Sequence, residues 1–159
     1  FTADLAEYPN LVVLQTLSKA WGLAALRVGM AFASEAIIQV MNRIKPPYNI
    51  NQASQDLVLE ALDQVDQVNE MILEIVQERE MLGDELSQIP LVEHVFPSDA
   101  NFLLVKVRDA RGTYGNLLER GIVVRDRSRV ELCAGCLRIT VGTRPENEEL
   151  LKTLWQLSK

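Results

Sequence analysis

Lys19 and Arg27 stand eight residues apart in the segment TLSKAWGLAALRVG, with Ser18 beside the lysine and Thr16 just upstream. The lysine follows an apolar run, Leu11 to Leu14, and the arginine opens a second segment, Val28 to Ala33. Each charge is therefore expected beside a buried strand. An ammonium that loses hydration is pushed toward its neutral, nucleophilic amine. Fixed hydroxyl donors and a planar guanidinium fork suit a phosphate. Together the four residues fit a ligand that carries both an aldehyde and a phosphate. Taken singly they say less: Ser18 and Thr16 serve equally well as turn caps, and a lone lysine is ordinarily a surface residue.

A second set lies near the C-terminus. Arg125, in VVRD, and Arg138, in CLRITVG, each adjoin a short apolar segment. Guanidinium forks at strand ends can recognise carboxylates and phosphates, and Arg127, Arg129 and Arg144 add positive potential nearby. The single histidine, His94, leaves no histidine-based metal site or triad, and none is expected. Cys133 and Cys136 form a C-A-G-C pair. That pair supplies two of the four ligands a zinc site needs, and it leads into a strand where a redox motif would open a helix, so two ordinary thiols are expected.

These groups must be positioned by an α/β framework. Strands are expected over Leu11–Leu14, Arg27–Ala33, Leu91–Phe96, Phe102–Val107, Ile122–Val124 and Leu137–Val141. Ser34 is a candidate cap for a helix to Ile44, which Lys45-Pro46-Pro47 ends. Asn51 caps a helix to about Gln64, and a second amphipathic run carries Val68 to Leu86. A short helix, Arg111 to Arg120, stops at Gly121. Thr143 and Pro145 open the last helix, whose inner side is expected to carry Leu150, Leu151, Leu154, Trp155 and Leu157. Two blocks result, 1–67 and 68–159.

At 48% hydrophobic and 24% charged residues, the chain of 159 residues can build a packed core. A net charge of −6 argues against non-specific nucleic-acid binding. No apolar run approaches the ~20 residues that span a bilayer, and Phe1 to Asn10 has no basic leader region, so a cytoplasmic protein with no membrane partner is expected.

The spaced set Ser18-Lys19, Gly22, Leu26-Arg27 and Gly29 resembles the cofactor-lysine segment of pyridoxal-phosphate aminotransferases of the aspartate aminotransferase fold type. LRITVGTR is similar to the C-terminal signature of the histidinol-phosphate aminotransferase group within them. The resemblance implies the C-terminal part of the large cofactor domain over 1–67 and a small α/β domain over 68–159. It implies pyridoxal 5'-phosphate as cofactor. Lys19 would be the catalytic residue, joining the cofactor aldehyde and then moving a proton at the substrate Cα. Arg27 and Ser18, with Thr16, would hold the cofactor phosphate. Arg138 and Arg125 would meet the anionic groups of histidinol phosphate and of glutamate or 2-oxoglutarate, with Asn101 close by. Tyr48 and Asn49 match a segment near the subunit interface of these enzymes, which implies a homodimer. Threonine-phosphate decarboxylases and aromatic aminotransferases share much of the pattern, and a non-catalytic association module is a third alternative. The match covers only the C-terminal portion of the resembled enzymes, and Phe1 reads as the interior of a longer polypeptide. The acidic, aromatic and tyrosine partners of the cofactor ring would lie upstream, so the expectation is a fragment inactive by itself.

Overall fold

A computed structural model describes residues 1–158, which fall into two compact units, Phe1–Glu70 and the remainder from Met71. The first unit opens with a 3-10 turn, Thr2–Ala6, followed by the strands β1 (Val12–Thr16) and β2 (Gly29–Ala33). These strands pair antiparallel, Val12 opposite Ala33 and Thr16 opposite Gly29. Helix α1 (Glu35–Ile44) follows. Ser34 stands at its cap position, but its hydroxyl donates to Pro9 O at 2.9 Å instead of to the helix. Helix α2 (Gln52–Leu62) is capped as its sequence predicts, Asn51 Oδ1 accepting from Ser54 N at 2.8 Å. Helix α3 (Val65–Ser87) begins in this unit, and the division falls within it. Leu17 is the one fully buried hydrophobic residue of the first unit among those described.

The second unit contains the rest of α3, strands β3 (Val92–Val95), β4 (Phe102–Val107), β5 (Arg125–Asp126) and β6 (Cys136–Thr140), and helices α4 (Ala110–Glu119) and α5 (Arg144–Leu157). The sheet order is β3-β4-β6-β5, antiparallel throughout. Strand alternation sorts its residues by face. Leu103, Val105 and Val107 of β4 and Leu137 and Ile139 of β6 join Leu82 and Leu86 of α3, Leu117 of α4 and Leu150 and Leu154 of α5 in one core. The alternate residues Phe102, Leu104, Lys106, Cys136 and Arg138 therefore lie on the opposite face.

Other details also differ from the expected elements, among them the start of β2, which is Gly29 and not Arg27. Ile122–Val124 is not a strand; pairing with β6 begins at Arg125. Trp155 is 42% exposed, because the inward phase of α5 is taken by Asn147, Leu150, Thr153 and Leu154. Helix α4 starts one residue earlier than expected, because Asp109 Oδ1 accepts from Gly112 N at 2.9 Å and caps it. Gly121, at φ +78°, ends that helix in the left-handed conformation its position demands.

At the start of α5, the Glu146 carboxylate accepts from the Thr143 backbone N–H and from its hydroxyl, each at 2.7 Å. These bonds hold the Glu146 carboxyl below its usual pKa, the backbone bond first. A depressed carboxylate stabilises the fold above its unfolded pKa, and that contribution is lost as pH falls through the folded value. Acidification is expected to loosen the first turn of α5, read as faster amide exchange at Thr143. Glu146→Gln should remove that pH dependence; an unchanged acid response in the variant would refute this.

Candidate functional site

The connection between β1 and β2 is closed on itself. Leu17 N donates to Val28 O at 3.5 Å, Leu23 N to Leu17 O at 3.0 Å, and Gly22 N to Lys19 O at 2.9 Å. Gly22 takes φ +67°, which an L side chain resists, so the glycine permits the turn that presents Lys19. Lys19 and Arg27 thus belong to one hairpin connection anchored by a buried leucine. Lys19 is exposed, so the burial expected from the adjoining apolar run is not met within this chain. The reason is local: the lysine lies in the bend beyond the strand, past the last paired residue, Thr16.

Thr16 and Ser18 form one unit. The Thr16 hydroxyl donates to Ser18 Oγ at 2.8 Å and accepts from Ser18 N at 3.1 Å. The Thr16 hydroxyl also lies 3.4 Å from Val28 O, which ties the pair to the second strand's approach. Arg27 caps a 3-10 turn, Ala24–Leu26, with φ +57° and ψ +34°, a left-handed conformation costly for a residue with a side chain. Its Nη1 donates to Ala24 O at 3.1 Å, and the rest of the fork is exposed. A strained arginine held by its own turn is the kind of local cost found at ligand-binding positions.

In the second unit, Arg125 and Arg138 are direct cross-strand partners on β5 and β6. Like charges directly opposite one another on paired strands are destabilising. Arg138 lies with its guanidinium carbon 5.0 Å from the Phe102 ring centre. Its Nε is buried and has no hydrogen-bond partner among the described residues. An unpaired buried donor is costly, and an anion between the two arginines would relieve both the repulsion and the missing bond. Asn101 is exposed and opens β4; its carbonyl accepts from Val141 N at 3.0 Å.

Cys133 and Cys136 are both free thiols. Burial and then the neighbouring Cys133 push the Cys136 thiol up, which disfavours its reactive thiolate. His94 is exposed on β3, edge-on to Phe96. No cluster of three or more metal-ligating side chains occurs among the described residues, and none of their helices is long and apolar enough to cross a membrane. Phe102, Glu78 and Asn147 escaped the sequence reading. Glu78 and Asn147 carried a usable signal: each is a polar residue in phase with an apolar stripe, Leu82–Leu86 and Leu150–Leu154 respectively.

A model of the family described as aminotransferase class I and II matches residues 2–154, and the chain belongs to that family. It is 52% identical over 154 residues to the histidinol-phosphate aminotransferase of Cytophaga hutchinsonii and 53% identical to that of Parabacteroides distasonis, covering 97% of this chain in each case. The chain spans less than half of those relatives, 44% and 45% of their length. The crystal structure of the histidinol-phosphate aminotransferase from Sinorhizobium meliloti, in complex with pyridoxal-5'-phosphate, superposes with a TM-score of 0.82 at 25% identity, over 99% of this chain and 43% of that one.

Proposed function

We propose that this chain carries the cofactor lysine and the substrate-anion arginines of a pyridoxal-phosphate aminotransferase. The whole protein would exchange an amino group between L-histidinol phosphate and 2-oxoglutarate, as a cytoplasmic enzyme. The observation that supports the reading is the closed β1–β2 connection, a single short loop that carries Ser18, Lys19 and the left-handed Arg27. That donor set contains no acid and fits an aldehyde bearing a phosphate. Pyridoxal 5'-phosphate, when bound, supplies the electron sink for the bond broken at the substrate Cα. Lys19 would hold the cofactor and carry the proton removed from the substrate Cα. Arg27 and Ser18, with Thr16 orienting the serine, grip the phosphate and fix the ring relative to Lys19. Arg138 and Arg125 receive the carboxylate or phosphate of the substrates, with Asn101 at the edge of that site. Tyr48, at φ +44° and almost fully exposed, is a residue that a homodimer would cover.

The test exploits the phosphate grip. The chain is incubated with pyridoxal 5'-phosphate or with pyridoxal, reduced with borohydride, and mapped by mass spectrometry. Lys19 should be labelled at least tenfold more than Lys45, Lys106 or Lys152 with the phosphorylated cofactor, and that preference should vanish with pyridoxal. Equal labelling of all lysines by both compounds would overturn the assignment.

A further inference from the structure

We propose that Glu78, Arg79 and Asn147 are positioning residues for Arg138, holding the strand corner on which its guanidinium rests. The inference rests on the reading of Arg138 as an anion-binding residue. Asn147 is 2% exposed, and its amide closes on both backbone groups of Gly142. Its Oδ1 accepts from Gly142 N at 3.0 Å, and its Nδ2 donates to Gly142 O at 3.0 Å and to Glu78 Oε2 at 3.0 Å. The other oxygen of Glu78 accepts from Arg144 Nε at 2.8 Å. Every polar atom of the Asn147 amide is thus engaged, and both Glu78 oxygens are used, which makes the network rigid. Space at Gly142 is tight: a Cβ would stand 2.9 Å from Glu146 Oε2 and 3.0 Å from Glu146 Cβ, so Glu146 would have to shift to admit one.

The next residue along α3 secures the partner strand. Arg79 Nη1 donates to Ala100 O at 3.1 Å, and the same loop is tightened by Ser98, whose hydroxyl donates to Phe102 O at 2.6 Å. Consecutive residues of one helix therefore fix the C-terminal end of β6 and the N-terminal approach to β4. The two ends are joined by the Val141 N to Asn101 O bond at 3.0 Å. Phe102 and Thr140 are cross-strand partners at this corner, and the Phe102 ring carries the Arg138 guanidinium. A shift of β6 against β4 would move Arg138 off that ring and release its buried Nε. Core packing alone would not need both backbone groups of one glycine to be read by one amide.

The experiment is nitrogen-15 spectroscopy of arginine side chains in the full chain. The readouts are the solvent-exchange rate of the Arg138 Nε–H and its shift on titration with inorganic phosphate. Asn147→Leu and Arg79→Met are expected to speed that exchange at least tenfold and to weaken the phosphate response severalfold. Arg79→Lys, which keeps a donor, should restore most of the protection. Leu154→Val, a core change remote from the network, serves as the control: it should lower the unfolding temperature and leave Arg138 exchange as in the parent. If Arg138 exchange is unchanged in Asn147→Leu and Arg79→Met while the phosphate response persists, the positioning role is overturned and the anion-site reading stands. If Arg138 in the parent chain does not respond to phosphate, the anion-site reading fails and takes the positioning role with it. If Leu154→Val accelerates exchange as much as the network variants do, the effect is general destabilisation and the positioning role is again overturned.

Discussion

Arg27→Gly is expected to weaken pyridoxal 5'-phosphate capture at Lys19 by roughly 10- to 100-fold, while leaving the fold intact. The figure follows from a charge-assisted hydrogen-bond pair, at about 1.5–3 kcal/mol. Glycine is the informative replacement. Arg27 sits at φ +57°, where a side chain costs on the order of 1 kcal/mol and glycine costs none. Losing the Arg27 Nη1 bond to Ala24 O, an exposed contact, offsets part of that gain. The unfolding midpoint should therefore stay level or rise while capture collapses. A residue kept for stability would show the reverse. The measurement is the cofactor concentration that gives half-maximal borohydride-trapped label at Lys19. An unchanged midpoint of labelling in Arg27→Gly would remove the guanidinium from the phosphate site.

Leu137→Ala should destabilise the second unit by roughly 2–5 kcal/mol, the range for a buried leucine cut back to alanine. Leu137 is fully buried at the centre of the core, on the strand that carries Arg138. For a unit of this size the loss corresponds to a fall in unfolding temperature on the order of 10–40 °C. Trp155→Ala is the useful contrast. Trp155 is 42% exposed, so its removal should cost less than that of Leu137, about 1–2 kcal/mol, although the helical pattern of the sequence places it in the core. Thermal unfolding of the two variants checks both values. A Trp155→Ala loss equal to that of Leu137→Ala would contradict the packing of α5.

The framework of the chain was largely legible because its signals are local. The apolar segment Phe102–Val107 has a strand's composition and became β4 with the same bounds. Asn51 and Thr143 announced helix starts by side-chain chemistry that acts within four residues, and both do occupy cap positions. The two strands around the Ser18–Gly29 stretch were legible for the same reason, since each is a short apolar segment, but the exposure of Lys19 was not. Signals that need a second element were not legible. The strand expected at Ile122–Val124 failed because pairing with β6 is decided by the route of the chain after Gly121, and apolar content does not specify it.

The sequence by itself determined which residues carry amines, guanidinium forks and hydroxyls, and which segments alternate or cycle in the pattern of strands and helices. Those are properties of near neighbours along the chain, set by side-chain chemistry and backbone preference. Only the tertiary structure decided that Arg125 faces Arg138, that Phe102 lies under that guanidinium, and that Glu78 meets Asn147 across 69 positions of sequence. Such juxtapositions depend on strand order and helix packing, where the free energy comes from burying distant apolar faces together, and no short window of residues encodes the result.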